Sequence, residues 1–429
     1  MSGKFRPGIA EMIEHQPAHE HAAATNQWLE DTVSTLAAGL TSYGMKAECI
    51  GARLTPNAAL IRFRGNDQMT VDRVERRIST LYTSWGVEII SVRPGRGQIV
   101  FMVAREDRVI LPTLDIWSRR QLPESAPIEN TSFVIGERED NGELLYLNVA
   151  KPFGGQPVSG PHTLIAGETG GGKGVLTSNI MLDICSTNSP EYARMVVIDP
   201  KAGVDYSWIE QTPHLEGGIV TEMGASLTTY GRLVDEMNRR YEEVLAPRRV
   251  QNIDVYNQTR GNDPVMPRIY VFHDELADWM TDDEYRKNAT EYLTRLSVKG
   301  RAAGIHLFLV TQRPDKKAMP GAIKANISNK ICLRVSNKVN SNIIIDESGA
   351  EALLGQGHML ALIGGLAGGP VFAQAPFLDP GEATVMAMAV GNEDKPSESL
   401  LGLQQQDGLA AYLGRADNDD DVADQRIAV

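Results

Sequence analysis

Eight residues, Gly167-Glu-Thr-Gly-Gly-Gly-Lys-Gly174, combine glycines and a lysine in the order that a polyphosphate-binding loop requires. Glycines let backbone N–H groups turn inward around phosphate oxygens, and the lysine reaches the terminal ones. Such loops run Gly, four residues, Gly-Lys, then Ser or Thr, whose hydroxyl holds Mg²⁺. Gly167, Gly172 and Lys173 satisfy the pattern, whereas Gly174 stands where the hydroxyl belongs. The expected nucleotide contacts are Gly167, Glu168, Thr169, Gly170, Gly171, Gly172, Lys173, Gly174 and Val175. Coordination of Mg²⁺ is the open question, with water filling the place of the missing hydroxyl.

A second group of residues follows about a hundred positions later. The apolar run from Ile269 to His273 ends in Asp274 and Glu275. The first carboxylate suits Mg²⁺, directly or through water, and the second is placed to orient and deprotonate an attacking water. Thr311 and Gln312 close the next apolar run and either sense a terminal phosphate or merely begin a loop. Phosphoryl transfer also calls for a cation at that phosphate. Arg295, Arg301 and Arg313 are all candidates, and spacing alone does not separate them.

These residues need elements to hold them. Thr163–Ala166 is a short strand-type run before the loop, and Leu176, Ile180 and Ile184 recur at helical spacing after it. Apolar runs at 195–198, 269–272, 305–310 and 331–335 alternate with helical patterns at 226–245 and 284–303. Alternation of this kind predicts a parallel sheet with helices on both faces, whose ligands collect at the carboxyl ends of the strands. Upstream, a helix over 28–43, strands over 58–63 and 99–103, and a helix over 71–81 bearing Arg73, Arg76 and Arg77 make a small α+β domain. The Gly/Pro-rich stretch 151–160 reads as its boundary, giving a polar arm over 1–27, the small domain over 28–150, the phosphate-loop domain over 151–380 and a tail over 381–429. The arm carries His15, His19 and His21 and is expected to be loosely ordered; the tail, with five aspartates in 417–424, is expected to be disordered.

Composition bounds the rest. With a net charge of -13 the surface is not uniformly basic, yet residues 41–120 hold 13 Lys/Arg against 8 Asp/Glu. Cys49, Cys185 and Cys332 form no CxxC pair, which argues against a zinc ribbon or disulfide framework and suits a reducing, cytoplasmic setting. No signal peptide opens the chain, and the apolar window 359–373 is too short and too glycine-broken to span a membrane.

The runs Gly160-Pro-His-Thr-Leu-Ile-Ala-Gly-Glu-Thr-Gly170, Ile198-Asp-Pro-Lys201, Pro213-His-Leu215 and Asp274-Glu-Leu-Ala-Asp278 resemble successive motifs of the FtsK/SpoIIIE DNA translocases. So do Arg301-Ala-Ala-Gly-Ile-His-Leu307, Thr311-Gln-Arg-Pro314, Ile323-Lys-Ala-Asn-Ile327 and Gly349-Ala-Glu-Ala-Leu-Leu-Gly355. The resemblance implies a RecA-like P-loop ATPase domain in a homo-hexameric ring that hydrolyses ATP with Mg²⁺ and pulls double-stranded DNA through a central pore. Carried over by motif, Lys173 grips the phosphates, Asp274 serves Mg²⁺, Glu275 activates water, Gln312 reports the γ-phosphate and Arg301 acts in trans. Arg313, Lys324 and Lys338 match pore positions, with Lys316 and Lys317 adding charge to the same loop; cations there neutralise phosphates without reading bases. Absence of membrane segments and of a winged-helix pattern after Asp379 leads to the expectation of a separate accessory protein for targeting. Two alternatives keep the fold: a related ATPase that moves proteins, and a nucleotide-gated scaffold that hydrolyses ATP weakly.

Overall fold

The computed structural model describes residues 3–15, 25–312, 319–391 and 401. An antiparallel sheet comes first: β1 (Cys49–Leu54), β2 (Ala58–Arg64), β3 (Ile89–Gly95) and β4 (Gln98–Ala104), in the order β1-β2-β4-β3. Successive residues of a strand face opposite ways. On β2 this sends Ala59, Ile61 and Phe63 towards Leu36 and Leu40 of the helix Thr25–Ser42, while Ala58 and Leu60 join the core of the larger sheet. The small sheet is therefore covered on both faces. The helix predicted over 71–81 is two, Val71–Glu75 and Ile78–Trp85, because Arg77 between them leaves helical geometry at φ -111°.

The second sheet has nine strands: β5 (Ser132–Arg138), β6 (Leu144–Asn148), β7 (Thr163–Ala166), β8 (Ala193–Ile198), β9 (Arg268–His273), β10 (Ile305–Thr311), β11 (Asn329–Leu333), β12 (His358–Leu362) and β13 (Val371–Gln374). Their order is β6-β5-β13-β12-β11-β7-β10-β9-β8. The five strands from β11 to β8 are parallel, and β12, β13, β5 and β6 extend them antiparallel. Both faces are buried: Ile165, Val197, Phe272 and Phe308 belong to one core, and Leu164, Val196, Val271 and Leu309 to the other. Strands buried on both sides read as continuous apolar runs, which is why these were legible.

The sheets divide the chain differently from its composition. β5 and β6 precede residue 151, yet both hydrogen-bond into the large sheet. The stretch 151–160 folds back beside β6: Asn148 Nδ2 donates to the carbonyls of Phe153, Gln156 and Pro157 at 3.0–3.1 Å. Its glycines and prolines serve a pinned turn, so composition marks a turn there and not a boundary between sheets. Residues 3–15 also depart from the loose arm expected of them. They form a helix, Pro7–His15, docked by buried Ile9, by Phe5 stacked on Trp117 at 5.2 Å, and by Arg6 donating to Asn188 O. At the other end, Pro380–Val390 is a helix with an Asp379–Glu382 capping box, and Leu401 is buried. Apart from these the predicted tail, including the aspartates at 417–424, lies outside the described residues.

Two polar anchors hold the site-bearing elements. Asp183 of the helix Lys173–Thr187 is fully buried and accepts from Arg120 at 2.5 Å and from Val134 N at 2.9 Å, which ties that helix to β5. Burial pushes the Asp183 carboxyl up, and Arg120 opposes the shift. Asn57, just before β2, donates to Glu139 at 2.6 Å and to Gln374 at 2.8 Å while accepting from Arg108 at 2.8 Å. Gln374 in turn donates to Gln356 O, and Gly357 N donates to Gly171 O of the phosphate loop, so a continuous polar path links the two sheets to the loop. Asn57→Ala removes one hydrogen bond each from buried Glu139 and Gln374 and from half-buried Arg108, and is expected to cost about 2–3 kcal/mol, read from urea unfolding. A cost below about 0.5 kcal/mol would mean water replaces the amide without loss.

Candidate nucleotide site

The loop from Gly167 to Gly172 connects β7 to the helix Lys173–Thr187. Its backbone needs glycine at defined places. Gly170 and Gly172 have φ of 77° and 104°, and a Cβ on Gly172 would stand 2.9 Å from Gly357 N. A Cβ on Gly167 would stand 2.8 Å from Leu333 Cβ. Lys173 is nearly buried and donates to Gly167 O and Glu168 O, each at 2.8 Å; burial lowers its pKa, against the pull of Glu275 and Asp274. Gly174 differs from the loop glycines: the nearest atom to an added Cβ is the Tyr206 hydroxyl at 4.0 Å. Nothing steric requires glycine there.

Asp274 and Glu275 close β9. Asp274 N donates to Ile198 O and Leu276 N to Val310 O, so the chain is clamped on both sides of Glu275, which takes a left-handed φ of 41°. A non-glycine residue in that region costs about 1–2 kcal/mol and persists where its surroundings enforce it. The Glu275 carboxylate accepts from Gln312 N at 3.0 Å, and the Gln312 side-chain oxygen accepts from the Thr169 hydroxyl. Burial pushes the Glu275 carboxyl above the usual range, against the hydrogen bond from Gln312 N.

Two residues that the site reading missed complete the cleft. Lys201 donates to Asp274 Oδ2 at 3.1 Å, and Tyr206 donates to Asp274 Oδ1 at 3.2 Å. Partial burial works against the Lys201 charge, yet Asp274 beside it holds the ammonium above its ordinary pKa. Lys201 lies in the run Ile198-Asp-Pro-Lys, which was a motif without an assigned role; Tyr206 gave no signal, since its partner is 68 residues away. Asp379, Pro380 and Ala383 line the far side of the cleft, which encloses about 400 Å³ and is also lined by Thr169, Lys173 and Gln312. Asp274 offers a hard oxygen ligand, and no group of three or more His, Cys, Asp or Glu able to hold a metal occurs among the described residues. A divalent cation here would draw most ligands from phosphate and water, as Mg²⁺ does. The residues present fit a Mg²⁺–nucleotide.

The remaining candidates lie elsewhere. Arg301 is exposed in the last turn of the helix Asp283–Ala303, at the end of β10 opposite Gln312. A seven-residue strand separates it from the phosphate loop of its own chain, on the order of 20 Å. Lys324 is half-buried, its ammonium held by Ile343 O and Asp346 Oδ1 at 2.6 Å, and Lys330 donates to the same carboxylate. Although partial burial opposes it, these two lysines hold the Asp346 carboxyl below its ordinary pKa. Lys338 is exposed at the start of the helix Lys338–Ile345. Arg313, Lys316 and Lys317 lie outside the described residues.

Strand order, loop and carboxylate pair define a P-loop ATPase fold of RecA-like type. Residues 138–316 match the FtsK/SpoIIIE family. Among curated relatives, the DNA translocase FtsK of Mycobacterium leprae (strain TN) is 29% identical over 406 residues, covering 91% of this chain and 46% of the relative. That of Vibrio parahaemolyticus serotype O3:K6 (strain RIMD 2210633) is 30% identical over 382 residues, covering 82% and 35%. The chain spans less than half the length of these relatives. Two solved structures share the fold at 24% identity and a TM-score of 0.55: the pCW3 conjugation coupling protein TcpA, monomer form with ATPγS, covering 82% of this chain and 96% of that one, and the cytoplasmic domain of the Thermomonospora curvata Type VII secretion ATPase EccC, covering 65% and 33%. Residues 138–316 form an FtsK/SpoIIIE-family domain. Among the described residues no helix is long and apolar enough to cross a membrane.

Proposed function

We propose that this chain is an ATP-driven translocase of double-stranded DNA, acting as a homo-hexameric ring that binds and hydrolyses ATP with Mg²⁺ between neighbouring subunits. The observation that carries the reading is the convergence of the phosphate loop, Lys173, Asp274, Glu275 and Gln312 at the carboxyl ends of adjacent parallel strands, in a chain whose curated relatives are DNA translocases. Lys173 neutralises the terminal phosphates, Asp274 serves Mg²⁺, Glu275 orients and deprotonates water, and Arg301 supplies a cation to the site of the next subunit. Gln312 is bonded to both Glu275 and Thr169, so it is placed to couple the phosphate loop to the general base. The EccC likeness rests on fold alone, while the sequence relatives favour DNA as the substrate. Stimulation of ATP hydrolysis by long duplex DNA is the direct test; assembled rings with no stimulation would overturn the reading.

On the DNA side, Lys338 is the exposed cation among the described pore candidates, whereas Lys324 must first give up Asp346. Lys338→Glu is expected to weaken duplex binding uniformly across sequences and to reduce the slope of log affinity against log salt by about 1. An unchanged slope would place Lys338 away from the phosphate backbone.

A further inference from the structure

Gly174 leaves the phosphate-loop helix without the hydroxyl that normally meets a metal-binding carboxylate, and Tyr206 stands beside that gap. Tyr206 comes from the 3₁₀ helix Val204–Gln211 and is 1% exposed. Its phenol donates to Asp274 Oδ1 at 3.2 Å and lies 4.0 Å from where a Cβ on Gly174 would be. A hydroxyl carried by that Cβ, one bond further out, comes within reach of the same phenol. The Thr177 hydroxyl, one helical turn beyond Gly174, is buried without a hydrogen-bond partner among the described residues. Lys201 occupies the other oxygen of Asp274, so the phenol fixes which edge of the carboxylate is held from the side of position 174.

We propose that Tyr206 is the positioning residue that replaces the absent loop hydroxyl, setting the orientation in which Asp274 receives a Mg²⁺–nucleotide. Glycine at position 174 and tyrosine at position 206 are then one arrangement: the oxygen that position 174 lacks is delivered from outside the loop. The proposal rests on the reading of the cleft as an ATP site. A tyrosine that merely fills the core would lose little when only its hydroxyl is removed.

The test measures ATPγS affinity of the full chain in Mg²⁺ and in EDTA, and takes the ratio of the two. Tyr206→Phe is expected to lower that ratio about tenfold, the scale on which a partner of a metal ligand acts. Gly174→Ser in the Tyr206→Phe background is expected to restore most of it by returning a hydroxyl from the loop side. Tyr206→Leu with Gly174→Ser, which dispenses with the aromatic ring, is expected to recover the ratio as well and guards against a packing defect in the Phe variant. A Tyr206→Phe ratio within about twofold of wild type would overturn the proposal, as would failure of both double variants to recover. Wild-type chain that binds no ATPγS would instead overturn the ATP reading itself, and this inference with it.

Discussion

Lys173→Ala and Arg301→Ala are each expected to abolish most ATP turnover, while an equal mixture of the two variants recovers part of it. Lys173 lies inside the cleft against the phosphate loop, so its loss removes a preorganised cation from the γ-phosphate and should cost on the order of 10²–10³ in rate. Arg301 lies at the opposite end of β10 from its own site and acts only if a neighbour presents it. An arginine delivered in trans contributes about 10³–10⁵ in other NTPases, so its removal should be the more severe change. In a randomly mixed ring, about a quarter of the head-to-tail interfaces join a subunit with intact Lys173 to one with intact Arg301, which sets the recovery to expect. Glu275→Gln separates chemistry from binding: it keeps the acceptor for Gln312 N but loses the base, so turnover should fall by about 10²–10⁴ while ATPγS still binds. No recovery in the mixture, with both variants folded and assembled, would mean that Arg301 is not a trans group.

Much of this site could be read from residue order because its chemistry is local. A glycine-rich turn, a lysine at the start of a helix and two carboxylates at a strand end each lie within a few residues of one another, and the strands that carry them are apolar on both faces. Structure added what depends on distant pairing. Asp274 and Tyr206 are 68 positions apart, and no periodicity links them. The helix Pro7–His15 was hidden because Phe5, Ile9, Met12 and Ile13 form a stripe too short to stand out beside three histidines and a proline. The helix Pro380–Val390 did carry a signal, Asp379 followed three residues later by Glu382, a capping box that the acidic character of the following tail obscured. β5 and β6 looked like part of the small domain because they precede the Gly/Pro-rich turn; only pairing with β13 assigns them to the large sheet. The placement of the loop, the lysine and the carboxylates was therefore legible, whereas the contacts that orient them were not.

Acid should unfold this protein over a narrow range, because five histidines among the described residues are buried as neutral rings. His162 is held down to about 4, and His214, His273 and His358 to about 3, each first by burial; His306 is held well below its ordinary value by burial and by Arg268. A histidine whose folded pKa lies below its unfolded value of about 6.5 stabilises the fold fully above that pH and loses the contribution as pH falls towards the folded value. Within that window each ring costs about 1.4 kcal/mol per pH unit, so several rings together remove an amount comparable to the whole stability of an ordinary domain. Asp199 works the other way: burial and neighbouring Asp274 push its carboxyl up to about 6, so its burial is least costly in acid, but one group returns only about 1–2 kcal/mol between pH 7 and 5. The histidines dominate. Melting temperature should hold from pH 8 to 7 and collapse between pH 6 and 5, with calorimetry in buffers of different ionisation enthalpy showing several protons taken up on unfolding. His273 gives the cleanest single test, since its pKa is lowered by burial, Tyr230 hydrogen-bonds Nδ1, and Nε2 has no partner among the described residues. His273→Gln should flatten the pH 7 to 5 loss by about 2 kcal/mol; a melting temperature that does not move over that interval would show that these rings are protonated at little cost in the folded state.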